Sequence, residues 1–371
     1  QAQAWVFKNS TPNKLNNGAV DDWDKTDSVL LTGNSVNYSS GSVKTVTELP
    51  PFTKELTVRG IKLLGHGPYD VSAKGISDTF LEKVARTVQL LLDPNASGID
   101  KEKQAAAIDG MANENNEGGF GIGPTVQRIG YINGGQYARS FLDDDAPNNY
   151  PGLQNTEFSY RAKDYVWEFP DDDASGSGIA DWGGYTVGGQ VTEVLEHVLH
   201  TISQHGLHYA YPDELNITSG NAGPMMAAMQ EAITNSVFDV SGYSALNDGS
   251  NEYFAAIARE YQYLLCYAMW EYYSVYVDGG SLSPEWNDNS RTQAGVLTNN
   301  PLGYALFNNF ISKVISKPTE ATLNAMFAVS GASGYIPVEN TNRILYTPFN
   351  SKDTLTVGNF TGTGTINIAN K

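Results

Sequence analysis

The amino-acid sequence predicts an α+β fold in which a strand-rich arm, a mixed body and a strand-rich tail follow one another. Three observations carry this prediction. A strongly amphipathic helical pattern begins at Asp78, helical patterns dominate from Val191 to Val329, and short β-favouring runs sit before residue 60 and after residue 350. Strands and helices do not alternate in βαβ order, which argues against a doubly wound parallel sheet. The implied divisions are an arm over residues 1–60, a body over 61–330 and a tail over 331–371.

In the arm, Ser28–Thr32, Ser42–Thr47 and Glu55–Leu64 read as strands, with Pro50 and Pro51 separating the first two from the third. Ser77 is the expected N-cap of the first helix, Asp78–Leu92. Phe80, Leu81, Val84, Val88, Leu91 and Leu92 form its apolar face. Asp93-Pro94-Asn95 ends it, and a second helix runs from about Asp100 to Met111. Between Asn113 and Gln190 the chain is rich in Gly, Asn and Asp. Two short strands are expected there, Val126–Ile132 and Asp164–Phe169. Helices follow at Val191–Gln204, Pro224–Asn235, Asn251–Val277, Leu302–Ser316 and Pro318–Val329. In the tail, Thr354–Val357 and Thr363–Ile368 alternate Thr with apolar residues, as strands do.

The formal net charge of -18 repels a phosphate backbone, which excludes nucleic acid as a natural partner and favours cations. No uninterrupted apolar run reaches membrane-spanning length: the longest, Tyr253–Val277, is broken by Arg259, Glu260 and Glu271. The one cysteine, Cys266, rules out an intramolecular disulfide, and its apolar helical setting makes it a core residue. An end of Gln1-Ala2-Gln3-Ala4 suits proteolytic processing, and the Gly-, Tyr- and Asn-rich composition suits a secreted or surface-associated protein.

The segment richest in chemistry is the helix Val191–Gln204. Four of the five histidines, His197, His200, His205 and His208, lie in or just after it. At 3.6 residues per turn, Glu193, Glu196, His197 and His200 share one face, while Val194, Leu195, Val198, Leu199 and Ile202 fill the other. Two carboxylates and two imidazoles on one face can converge on Zn²⁺ or another transition metal. An amphipathic helix also needs a polar face, and Glu and His can fill it with no ion at all. Gly206 is the expected stop.

The order of elements resembles the zincin metallopeptidases, in particular the gluzincin branch that includes anthrax lethal-factor-like domains. Such a fold has a leading helix, a small sheet, a helix bearing H-E-x-x-H and a later helix that supplies a glutamate ligand. The likeness covers about residues 60–280, and Glu252-Tyr253-Phe254-Ala255-Ala256 is similar to the region supplying that glutamate. The central motif departs from the family: here it reads Glu196-His197-Val198-Leu199-His200, with its first two letters exchanged. Carried over by position, the resemblance makes Glu196, His200 and Glu252 metal ligands and puts His197 at the general base. Glu193 falls where the inverted H-x-x-E-H pattern has its first histidine; either His197 or Glu193 would handle protons, and Tyr209 or Tyr211 would polarise an oxyanion. An additional carboxylate ligand makes a bound water less acidic, so the exchange is compatible with either a variant hydrolase or a scaffold that has lost activity.

A second cation candidate is the loop Asp93–Asp100. Asp93, Asn95 and Ser97 at alternate positions, followed by Gly98, resemble the opening of an EF-hand calcium loop. The Ile99 carbonyl and Asp100 are the next oxygens in line. The twelfth position falls on Gln104 rather than Glu. A helix C-terminus, a Pro-containing turn and a helix start account for the same residues without Ca²⁺.

Two functions of different class follow. One is a secreted metal-dependent hydrolase of the zincin-like peptidase type, taking a peptide or protein substrate. The other is an extracellular structural subunit of a filament, surface layer or virion. It would be built on an inactive zincin-like scaffold and self-assemble through the strands of its arm and tail.

Overall fold

A computed structural model describes residues 40–47, 52–68, 75–112, 125–131, 165–169, 186–217, 223–244, 247, 253–276 and 285–337. It describes the backbone alone at 6–7, 113–115, 122–123, 245–246, 251–252 and 356–357. The chain divides into two compact units, residues 1–36 together with 341–371, and residues 37–340. The divisions at 60 and 330 expected from the sequence are therefore displaced. Strand segments before residue 60 belong to the body because they complete its sheet. In the smaller unit, Val6–Phe7 pairs antiparallel with Thr356–Val357, so the two ends of the chain contribute to one unit. The expected strand Ser28–Thr32 lies outside the described residues.

The body is a mixed α+β structure around a five-stranded sheet. Its strands are β1 (Lys44–Thr45), β2 (Phe52–Val58), β3 (Ile61–His66), β4 (Thr125–Tyr131) and β5 (Tyr165–Glu168), side by side in chain order. The first three run antiparallel, whereas β3–β4 and β4–β5 are parallel. The expected single strand Glu55–Leu64 is in fact a hairpin. Arg59 and Gly60 adopt φ of 48° and 81°, the two consecutive positive values of a tight two-residue turn. Gly60 is required twice over, because a Cβ there would also lie 2.5 Å from the Ile108 carbonyl oxygen.

Between β3 and β4 the chain makes two helices, α1 (Asp78–Leu91) and α2 (Lys101–Asn113), so one crossover of βαβ type does occur. Ser77 caps α1 as expected, accepting the Phe80 N–H at 3.0 Å. Its own N–H and hydroxyl donate to the Glu168 carboxylate at 3.1 and 2.8 Å, which pins the start of α1 to the end of β5. The α1 residues Leu81, Val84, Val88 and Leu91 are fully buried, as their spacing predicts. Every described residue of β4 but the last is buried, as a central strand covered on both faces should be.

Helix α3 (Val187–Ile202) packs on β5, α1 and α5 (Asn251–Trp270), with α4 (Pro224–Thr234) between α3 and α5 in sequence. Thr186 caps α3, four residues earlier than the sequence pattern suggests, because Gly188 and Gly189 mask its first turn. Gly206 does not end it. The helix widens into a π turn at Ser203–Leu207 and resumes at His208–Ala210. Glycine serves close packing here: a Cβ on Gly206 would sit 3.1 Å from the Met111 sulfur, on α2. The expected helix Asn251–Val277 is also divided. Glu271 takes φ 61°, and the Glu271 and Tyr272 N–H groups donate back to the Ala268 and Tyr267 carbonyls. That is a Schellman stop built on a non-glycine residue. No helix among the described residues is long and apolar enough to cross a membrane.

Candidate metal centre

The face of α3 that carries Glu193, Glu196, His197 and His200 turns into the protein. Glu193 and His200 are buried, and Glu196 and His197 are half-buried. A purely solvated polar face is therefore not what these residues form. One donor atom each from Glu196, His197 and His200 lies within 4.8 Å of the other two, close enough to share an ion. Their convergence follows from helix geometry: Glu196 and His200 are stacked at i and i+4, and His197 lies beside both. The two imidazole rings meet edge to face at 5.5 Å.

Glu193 has a different task. Its Oε1 accepts the Trp167 backbone N–H at 2.9 Å and lies 3.3 Å from His197 Nε2. One turn earlier, Gln190 accepts the Phe169 N–H and donates to the Trp167 carbonyl, both at 2.8 Å. These two side chains stand in for a neighbouring strand along the outer edge of β5, satisfying backbone groups that would otherwise be buried without partners. They also fix the rotation of α3, and Glu193 fixes the His197 ring.

From the second helix, the described residue that meets this face is Glu260. Glu260 Oε2 lies 3.2 Å from His200 Nε2. The Glu252 side chain is outside the described residues, and its backbone is eight residues, about 12 Å of helix, earlier on α5. Arg259 Nη1 donates to Gln204 Oε1 at 2.8 Å, tying this part of α5 to the π turn that follows α3. The sequence held a signal for Glu260: it is a carboxylate inside the apolar aromatic run Ile257–Leu265. A little farther out, Tyr243 donates to Glu285 Oε1 at 3.0 Å. An antiparallel bridge between Phe238 and Trp286 holds that pair in place.

Crowding of carboxylates shifts their ionisation. Burial pushes the Glu196 carboxyl up to about 8. His197 and His200 oppose the rise, and Glu260 and Glu193 add to it. Burial, followed by Glu260, also raises Glu285. A carboxyl held this way keeps its proton near neutral pH or meets a cation.

The remaining sequence candidates lie elsewhere. His205 sits in the π turn and His208 follows it. The Tyr209 ring lies 4.2 Å from that of His208, tilted by 37°, and Tyr211 packs against Phe310 and beneath Lys103, with Asp100 and Glu214 as its acidic neighbours. The tyrosine placed against His200 is Tyr263, edge to face at 5.7 Å. In the loop Asp93–Asp100, the Asp93 carboxylate accepts the Asn95 N–H at 2.9 Å. Asp100 caps α2 through the Glu102 and Lys103 N–H groups at 3.0 and 3.1 Å. Asn95 and Ser97 point to solvent as exposed residues, and Ile99 is half-buried. The loop makes the turn and helix cap that its sequence predicts. The acidic runs Asp143–Asp145 and Asp171–Asp173 lie outside the described residues. Cys266 is buried, and burial drives its thiol far above the usual range, as a core cysteine requires. No protein-family model, no curated protein and no solved structure shows a significant match to this chain, so the resemblance to zincins rests on its motif and element order alone.

Proposed function

We propose that this chain is a metal-dependent hydrolase of peptide or protein substrates, with its ion held by Glu196, His197 and His200. The single observation that carries the reading is the convergence of those three donor atoms within 4.8 Å. Two imidazoles and one carboxylate suit Zn²⁺ and the neighbouring transition metals. The raised Glu196 carboxyl supports the fit, because a cation in its place relieves the crowding that lifts it to about 8.

Bound Zn²⁺ supplies a Lewis acid that polarises a carbonyl and brings the ionisation of water toward neutral pH. The chain's own residues then divide the work. Glu193 orients His197 from the sheet side, and its bond to Trp167 N–H makes it a positioning group rather than a base. Glu260, beside His200, is the carboxylate placed to take and return a proton. It replaces His197 in the role that motif position alone suggests, since His197 belongs to the converging donors. The composition supports work outside the cell.

The test is the metal content of the purified protein by inductively coupled plasma mass spectrometry, beside a His200→Ala variant. Near-stoichiometric zinc that is lost in the variant, with chelator-sensitive cleavage of a peptide library by the parent, is expected. Background metal in both proteins after zinc supplementation overturns the reading. A second reading, an extracellular structural subunit assembled through its ends, is favoured by one observation. Val6–Phe7 pairs with Thr356–Val357, so both ends meet in a unit separate from the body.

A further inference from the structure

A cavity of about 230 Å³ opens where the start of α1, the end of β5 and the chain after the helix Glu320–Phe327 come together. It lies apart from the donor cluster. Gln190, its lining residue on α3, is six residues, about 9 Å of helix, before Glu196. The buried rings of Phe80, Phe169 and Phe327 give the cavity apolar walls, and the exposed Val329 marks its rim. Gln190 and Ser77 serve as wall rather than as recognition groups. The Gln190 amide is engaged with the β5 backbone, and the Ser77 hydroxyl with the Phe80 N–H and the Glu168 carboxylate.

The charged side chains of the lining are Lys83 and Glu168. Lys83 is only 8% exposed, an uncommon burial for an ammonium group. Its Nζ stands 3.4 Å from the Ala328 carbonyl oxygen and 5.9 Å from the centre of the Phe327 ring, which places the positive charge at the Phe327 wall. The negative charge of Glu168 is fixed beside Ser77, six residues or about 9 Å of helix before Lys83. A cavity with opposite charges held apart and aromatic walls around them is complementary to a small dipolar molecule with an apolar body.

We propose that this cavity binds a short zwitterionic peptide of dipeptide size, its carboxylate on Lys83, its ammonium group on Glu168 and an apolar side chain against Phe80 and Phe327. Length selects the class. An extended dipeptide spans about 7 Å, and a helical side chain leans toward the N-terminus of its helix, which brings the Lys83 ammonium within that reach of Glu168. A single amino acid spans about half as much and meets one charge at a time. The aromatic walls keep water from both ends and strengthen the two charge-assisted bonds. The inference goes beyond the metal reading and does not depend on it.

Calorimetric titration of the full-length protein with alanyl-leucine, as purified and after chelation, tests the site. The dipeptide should bind with equal affinity in both preparations and in the His200→Ala variant. N-acetyl-alanyl-leucine and alanyl-leucine amide should each bind about tenfold more weakly, the loss of one charge-assisted bond. Lys83→Met keeps the length of the side chain without its charge. It should bind alanyl-leucine about tenfold more weakly and no longer distinguish it from its amide, with a thermal midpoint showing that it is folded. No heat of binding at millimolar dipeptide, indifference to both blocked ends, or unchanged affinity in Lys83→Met overturns the inference. If Lys83→Met does not fold, the blocked peptides on the parent protein still decide. Affinity that vanishes on chelation or in His200→Ala puts the peptide at the donor cluster, which overturns this inference and favours the metal reading. A protein that holds no zinc but binds the dipeptide with both ends read removes the metal reading and leaves this one standing.

Discussion

Glu196 concentrates the physics of the site in one side chain. Its carboxyl keeps some access to solvent, yet burial together with Glu260 and Glu193 outweighs the two imidazoles and lifts it from 4.5 to about 8. Between those values the folded protein holds a proton that the unfolded chain has released. The metal-free protein should therefore lose stability as pH rises from about 4.5 to about 8, and this contribution is flat outside that window. Glu196→Gln, neutral throughout, should remove this slope, so parent and variant diverge most between pH 5 and pH 8. Urea unfolding of both proteins at those two pH values checks it, and a parent no more pH-sensitive than the variant refutes it. His66 works in the opposite sense. Burial lowers its ionisation, so its contribution is complete above 6.5 and fades as pH falls. The two slopes are separable because only the first disappears in Glu196→Gln.

At the scale of the element, the fate of α3 shows what periodicity can and cannot reveal. The spacing of Glu193, Glu196, His197 and His200 places them on one face, and the structure gathers three of them. That Glu193 instead serves the edge of β5 was not legible, because it depends on Trp167, 26 residues away. Glu260 stands out in the sequence as a carboxylate in an otherwise aromatic helix, but its partner does not. Only tertiary packing says which turn of α5 crosses His200. The hairpin at Arg59-Gly60 and the early start of α3 were missed through glycines whose role is conformational or steric rather than terminating. The leading helix, the strands near Val126 and Asp164 and the helical second half needed no long-range information and were legible within a few residues. Close packing of α2 on the end of the α3 segment yields a sharp prediction. A Cβ at Gly110 would fall 2.1 Å from the Tyr209 ring and 2.8 Å from its Cβ. Helix propensity alone favours Ala over Gly by about 1 kcal/mol. Overpacking costs about 1–3 kcal/mol and acts against backbone-anchored atoms that cannot swing aside. Gly110→Ala should thus destabilise the protein, and adding Tyr209→Ala, which removes the ring but leaves its Cβ 2.8 Å away, should restore only part of the loss. Denaturant titration of the single and double variants decides it, and a more stable Gly110→Ala would mean that propensity wins.

For the whole molecule, the division into two units sets which properties can be separated. Within the unit spanning 37–340, buried hydrophobic side chains run from Val46 to Tyr335 and give this unit a core of its own. The donor cluster, Glu260 and Tyr263 are in the same unit, whereas the pairing of Val6–Phe7 with Thr356–Val357 belongs to the other. Hydrophobic burial dominates folding free energy, so a chain of residues 37–340 should contain what the body needs to fold. Its thermal midpoint should stay within about 4 °C of that of the full chain, the shift produced by roughly 1 kcal/mol in a domain of this size. Its zinc affinity should be unchanged, since no donor is removed. Calorimetry and zinc titration on both lengths test this, and light scattering of the same samples reads the ends independently. If the shortened chain folds and holds zinc but a full-length oligomer becomes a monomer, the ends serve assembly and the body serves chemistry. If the midpoint falls by far more than 4 °C, the terminal unit is part of the folding unit, and the two readings of the protein can no longer be tested apart.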